Sequence, residues 1–207
     1  MSEELLSPIR EDVLREIASM GTAHAATSLS NIIGKKVTVS NLSVSWVDFQ
    51  NVSDFIGGAE NTISSALVTL DGQIQGLMLH LMEMPSATTI ASLMLGQKVT
   101  IDTIFGDMEM SALTEFCNIM ISSYLGSLAE LLGSKIVPSV PYVSIDMANA
   151  VLSVPVAEYG RVADQILLIE SKLMVVDTQT DEDFTGCFLF APDMESFKNL
   201  LQALGVE

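Results

Sequence analysis

The sequence predicts a single α/β (α+β) domain with pseudo-two-fold symmetry, in which two long helices pack on a β-sheet. Three observations predict it. Apolar residues recur with helical period over two long segments. Strand-like alternation bounded by turn residues lies between and after them. The second long helix repeats the first in register. The chain has 207 residues, 49% apolar and 17% charged, which is the composition of a folded globular protein long enough to bury a sizeable core.

The first helix has Ser7 to cap it, Pro8 in its first turn and Gly34 to end it. Between them Ile9, Val13, Leu14, Ile17, Met20, Leu29 and Ile33 keep one face apolar. "KKVTVS" and "LSVSWV" then alternate as strands. "NTISSALVTLDGQIQGLMLHLM" reads as two strands joined at Asp71-Gly72, a hairpin signal, and "PSATTIASLMLG" as a short helix ending at Gly96. The second long helix spans 108–132 and stops at Gly133; strand-like segments follow at about 135–138, 143–147 and 150–156. "DQILLIESKLMVV" and "TGCFLFAP" form a further expected hairpin around the acidic "DTQTDED", and a last helix covers about 193–204.

The repeat rests on arithmetic. A shift of 99 positions places Leu14 on Leu113, Glu16 on Glu115, Ser28 on Ser127, Leu29 on Leu128, Gly34 on Gly133 and Lys36 on Lys135, with no gap over residues 12–37. Asp12 falls on Ser111. We read an internal duplication with pseudo-repeats of about 8–104 and 105–207 sharing one core, hence one domain over 1–207.

The net charge of -17 argues against nucleic acid and against anionic membranes as partners. It favours proteins with basic patches, or partners met through small local sites. The polar, acidic "MSEELLSPIRED" is no signal peptide, and no apolar run reaches the ~18 residues of a membrane span, so a cytoplasmic protein without membrane insertion is expected. Cys117 on a helix and Cys187 in a strand make neither a disulfide framework nor a zinc site and read as reduced core thiols. His24 reads as a packed or surface histidine, His80 as a strand residue with apolar neighbours, Trp46 as a core or sheet-face residue, and the twelve methionines as gap-filling core.

The chemistry lies in "SALTEFCNIM", residues 111–120. Glu115 and Asn118 are three apart, which puts them on one helix face with Cβ atoms about 5–6 Å apart. The carboxylate can pair with a cation on a partner. The amide offers a donor and an acceptor and can hold a water molecule in a chosen direction. Neither is a nucleophile, so the pair suits attack by water on a group that another molecule supplies. The plainer reading is an ordinary solvated helix face, and E-x-x-N alone is a weak motif.

These residues carry a resemblance. Ser111, Glu115, Asn118 and Pro141 match, in type and in every spacing, the pattern of the CheC family of chemotaxis proteins: Asp or Ser, three residues, Glu, two residues, Asn, twenty-two residues, Pro. "REIASMGTAHAATSLSNIIGKKV" resembles the family's first helix. The family also includes CheX and a domain of FliY; without the extra switch-binding segment of FliY, the expectation is a chain most like CheC itself.

The resemblance implies an aspartyl-phosphate phosphatase acting on the response regulator CheY. Asn118 would orient water and Glu115 would pair with a lysine of the regulator. The chain would need no cofactor of its own, since CheY carries the Mg²⁺. Ser111 and Pro141 would be supporting motif residues. The first copy, Asp12, Glu16 and Ser19, lacks the amide and has Leu42 where the proline would fall, so a weak or silent site is expected. Asp146 in "SIDMANAVL" is either a turn or strand-end carboxylate or, by resemblance, a contact for the receptor deamidase CheD. The alternative function is a non-catalytic adaptor that regulates CheY or CheD by binding.

Overall fold

A computed structural model describes residues 8–133, 135–159, 165–176 and 182–203. In chain order the elements are α1 (Pro8–Ile33), β1 (Lys36–Asp48), a 3-10 segment (Phe49–Ile56), β2 (Thr62–Gly72), β3 (Gly76–Glu83), α2 (Met84–Leu95), α3 (Asp107–Leu132), β4 (Ile136–Pro138), β5 (Tyr142–Met147), α4 (Ala148–Tyr159), β6 (Gln165–Val176), β7 (Glu182–Pro192) and α5 (Met194–Ala203). The strands form one antiparallel sheet in the order β1-β6-β7-β3-β2-β4, with β5 also pairing with β2.

The order is palindromic. Exchanging β1 with β4 and β5, β2 with β6 and β3 with β7 reverses it and leaves the neighbours unchanged. Each half of the chain thus lays its first strands beside the hairpin of the other half.

Period-2 alternation divides the sheet residues between two cores. Ala66, Val68, Met78, Met82, Leu167, Ile169, Phe184, Phe188 and Phe190 join the buried residues of α1, α2 and α3 on one face. Ile63, Leu77, Leu79, Leu81, Ile166, Leu168, Cys187 and Leu189 join the 3-10 segment and α4 on the other. In β1 the register shifts between Val39 and Asn41. The bulge flips the parity there: Val37 faces the helices before it, and Val44 and Trp46 after it.

Most expected elements are present, with four corrections. "KKVTVS" and "LSVSWV" are one strand, because the bulge carries the chain past Ser40 without ending the ladder with β6. The β2–β3 connection is Gln73–Gln75, and Asp71-Gly72 closes β2 instead, where it pairs with β4. Residues 150–156 are helical, inside α4, with the buried Pro155 within the helix; Ala148 and Leu152 pack in the second core, so burial decides over strand-like alternation. β7 starts earlier than expected, at Glu182, and Asp183 forms an ion pair with Lys172 of β6. The expected cap Ser7 and residues 177–181 of the expected hairpin loop lie outside the described residues.

α1 and α3 touch through a residue without a side chain. A Cβ on Gly21 would stand 2.8 Å from Tyr124 Cδ1 and 3.0 Å from Tyr124 Cα, so this position sets how closely the two helices approach. The Thr22 hydroxyl donates to the Ala18 carbonyl at 2.7 Å and shares a short hydrogen bond with the Tyr124 hydroxyl. Across the same seam His24 Nδ1 lies 3.1 Å from Ser127 Oγ. Replacing Gly21 with Leu is expected to cost about 1–3 kcal/mol, because the overpacked ring is buried and cannot swing away. A urea-denaturation midpoint measures it; an unchanged or raised midpoint would show that the helices have room to separate.

Candidate active site

Local chemistry starts α3 where the motif needs it. Glu109 Oε2 accepts the Gly106 N–H at 2.9 Å, and Met110 N–H reaches the Gly106 carbonyl at 3.0 Å, closing the first turn. Gly133, at φ +57°, ends the helix, and its N–H donates to the Glu130 carbonyl at 3.3 Å. Along α3, Leu113, Phe116, Cys117, Met120, Ile121, Tyr124, Leu125 and Leu128 are buried, while Ser111, Glu115, Asn118 and Ser122 are exposed. The helical period therefore presents the motif as one solvent-facing stripe.

The stripe is firmly mounted. Phe116 and Cys117, the two residues between Glu115 and Asn118, are fully buried. The Phe116 ring meets His80 edge-on with centroids 5.7 Å apart, and Phe184 at 5.8 Å. Cys117 Sγ lies 3.6 Å from His80 Nδ1. Burial pushes the His80 imidazole down to about 3 and the Cys117 thiol up to about 12, so both are neutral packing groups at neutral pH. Cys187, likewise buried and reduced, is pushed up to about 12 by burial first, then by Glu170 and Glu83. In contrast, neither Glu115 nor Asn118 has a side-chain hydrogen bond or ion pair among the described residues, and both point polar groups at solvent.

The remaining motif residues sit on other elements. Pro141 is half-buried in the break between β4 and β5, where Ser139 bridges to β2: its N–H donates to the Thr69 carbonyl at 2.9 Å, and its Oγ accepts the Thr69 N–H at 3.1 Å. Asp12, Glu16 and Ser19 are exposed on α1. They form a stripe of the same kind: at a shift of 99, exposed 12, 16, 19, 23 and 27 fall on exposed 111, 115, 118, 122 and 126, and buried 14, 17, 18, 21 and 22 on buried 113, 116, 117, 120 and 121. Leu42, at the position of the proline, is half-buried against the core. Asp146 is exposed on β5, and its Oδ1 accepts the N–H of the next residue at 2.7 Å, the geometry of a strand-end carboxylate. Among the described residues no three His, Cys, Asp or Glu side chains gather in a metal-binding arrangement, and no helix is long and apolar enough to cross a membrane.

Sequence reasoning overlooked one feature of this stripe. Met108, assigned with the other methionines to the core, is exposed at its head, seven residues before Glu115 and so nearly in line with it. That spacing was the available signal.

The fold defines a class. Over 97% of this chain and 98% of the other, the structure superposes on FliY of Thermotoga maritima with a TM-score of 0.69 at 23% identity, so the two share this sheet-and-helix architecture. Sequence comparison narrows the class. The CheC-like family model matches residues 108–145, which contain Ser111, Glu115, Asn118 and Pro141. The CheY-P phosphatase CheC of Bacillus subtilis is 30% identical over 94% of this chain and 93% of its own length. The flagellar motor switch phosphatase FliY of the same organism is 28% identical over 68% of this chain and 36% of its own. The chain belongs to the CheC-like family.

The neutral His80 makes a prediction about acid. Its folded value of about 3 lies below its ordinary 6.5, so between these pH values the unfolded chain binds a proton that the folded chain refuses. Stability from this position is full above pH 6.5 and falls as the pH drops toward 3. The stability of the wild type relative to His80→Gln should decline by up to about 1.4 kcal/mol per pH unit on acidification. Urea midpoints of both proteins at about pH 7 and about pH 4.5 check it; parallel losses would show that His80 does not titrate with unfolding.

Proposed function

We propose that this protein hydrolyses the aspartyl phosphate of a phosphorylated CheY, with Asn118 orienting the attacking water and Glu115 docking the partner. The observation that carries the reading is the state of the pair. A carboxylate and an amide stand free on the surface, three residues apart, on either side of two fully buried anchors. The names of the Bacillus subtilis relatives support it.

The chemistry fits what the two groups can do. Water attacks phosphorus in line, the bond from phosphorus to the aspartyl oxygen breaks, and the products are inorganic phosphate and the free carboxylate. Such a reaction is accelerated mainly by position and by charge stabilisation. The Asn118 amide can accept a hydrogen bond from the water through Oδ1 and donate one to a phosphoryl oxygen through Nδ2. Glu115, beside it, attracts a cation on the regulator and so fixes how deep the amide enters. A regulator that carries Mg²⁺ brings the charge neutralisation with it. Ser111 lies one turn before Glu115 on the same stripe. On α1 the position corresponding to Asn118 is Ser19, whose hydroxyl is shorter than a carboxamide, and we assign that face no hydrolytic role.

Two substitutions separate the roles. Asn118→Ala should abolish hydrolysis while leaving affinity for phosphorylated CheY nearly intact, because the amide acts mainly in the transition state. Dephosphorylation assayed beside complex formation decides it, and wild-type turnover by the variant would refute the assignment. Glu115→Lys should weaken binding as well, by about 2–5 kcal/mol if the charge pair is buried on docking. Titration of the complex reads the effect, and unchanged affinity would reduce Glu115 to a solvated helix residue.

A further inference from the structure

Among the described residues, the five most exposed large apolar side chains are Ile104 (93%), Val140 (84%), Tyr142 (71%), Met108 (61%) and Ile101 (58%). None is remote in sequence from the motif. Ile101, Ile104 and Met108 precede Ser111, and Val140 and Tyr142 flank Pro141. Single exposed apolar residues are ordinary; that the five most exposed all stand within about ten residues of one motif position along the chain is not.

The segment from Ile101 to Ile104 is also built, not loose. Thr103 N–H donates to the Thr100 carbonyl at 2.9 Å, closing a turn with Ile101 and Asp102 at its centre. Thr100 N–H donates to Thr103 Oγ1 at 3.0 Å. On one side Val99 is buried and its N–H donates to Ser92 Oγ of α2 at 2.9 Å; on the other, Phe105 packs against the core. A turn tip is a place for Asn, Asp, Gly or Ser, and here it presents isoleucine to water. Holding an apolar group rigidly exposed reduces the ordering cost of binding it later.

We propose that Ile101, Ile104 and Met108 form an apolar docking tip for the same phosphorylated CheY that the Glu115–Asn118 pair attacks, an inference that rests on the function proposed above. The argument for this occupant is continuity. Met108 stands seven residues before Glu115 on one exposed stripe of α3, so a receiver domain seated over the polar pair covers Met108 and the turn before it. The partner this fits has an apolar spot adjoining its cationic phosphorylation site. Charged residues near the tip, Asp102 and Asp107, keep the free surface wet and repel partners that are acidic at that spot.

The test compares wild type with the double variant Ile104→Ser, Met108→Gln in steady-state hydrolysis of phosphorylated CheY. We expect KM to rise about tenfold with kcat within about twofold, since truncated interface anchors weaken docking without touching the water-orienting amide. Both substitutions are at exposed positions, so the melting temperature should not change. An unchanged KM overturns the proposal, as does a loss confined to kcat. Sedimentation of both proteins provides a further arm. A wild-type dimer that becomes monomeric in the variant, with KM unaltered, assigns the tip to a second copy of this chain and also overturns it. A wild type that neither binds nor hydrolyses phosphorylated CheY removes the proposed function and this inference together. Hydrolysis that survives Asn118→Ala removes the mechanism but leaves the KM comparison decisive for the tip.

Discussion

The close approach of α1 and α3 at Gly21 is the contact on which the rest depends. Because Gly21 adds nothing between the backbones, Tyr124 can lie against α1 and hydrogen-bond Thr22. Its ring then packs on Phe188 of β7 with centroids 4.4 Å apart, and Phe188 packs on His80 of β3 at 4.5 Å. His80 in turn meets Phe116 and Cys117, the residues between Glu115 and Asn118. A continuous run of buried rings thus leads from the helix seam, through the two central strands, to the back of the exposed pair. Close-packed interiors transmit small displacements, so a pair placed this way is positioned by the fold and not by its own contacts.

That arrangement suits the proposed function, in which half of the chemistry belongs to another molecule. The chain is strongly acidic, and its candidate site offers only one carboxylate and one amide. Long-range repulsion from other acidic surfaces is the default for such a protein, so docking has to be won locally. A buried, uncharged foundation of His80, Cys117 and Phe116 keeps the local electrostatics simple. At its centre the α3 stripe shows solvent the carboxylate and the amide to which the proposed function assigns the docking and water-orienting roles.

Much of this was legible in the sequence because it depends on period. The two long helices show it over 26 residues each, and β2 and β3 over eleven and eight. The exposure of Glu115 and Asn118 follows from the burial of Leu113, Phe116, Cys117 and Met120 around them. The failures lie where tertiary packing overrides local pattern. "AVLSVPV" alternates like a strand, yet Ala148 and Leu152 need a helix to reach the second core. Asp183 belongs to a strand because the β6–β7 ladder continues to Val175 and Glu182, with Asp183 opposite Met174 and ion-paired to Lys172, a pairing invisible along the chain. Met108 is a hydrophobe whose place outside the core only its position relative to Glu115 could disclose, since methionine is equally at home in a core and at a binding surface.

The palindromic sheet carries a consequence for how the chain assembles. Four of the six strand pairings among the described residues join the first half to the second: β1 with β6, β3 with β7, and β2 with both β4 and β5. Only the two hairpins, β2–β3 and β6–β7, are complete within their own half. A chain emerging from the ribosome cannot finish its first hundred residues as a folded unit, because the strand that follows α1 waits for a partner some 130 positions further on. Folding is then dominated by distant closures, which are slow. Until they occur the nascent half keeps open edges, the condition in which strands of neighbouring copies are most readily exchanged.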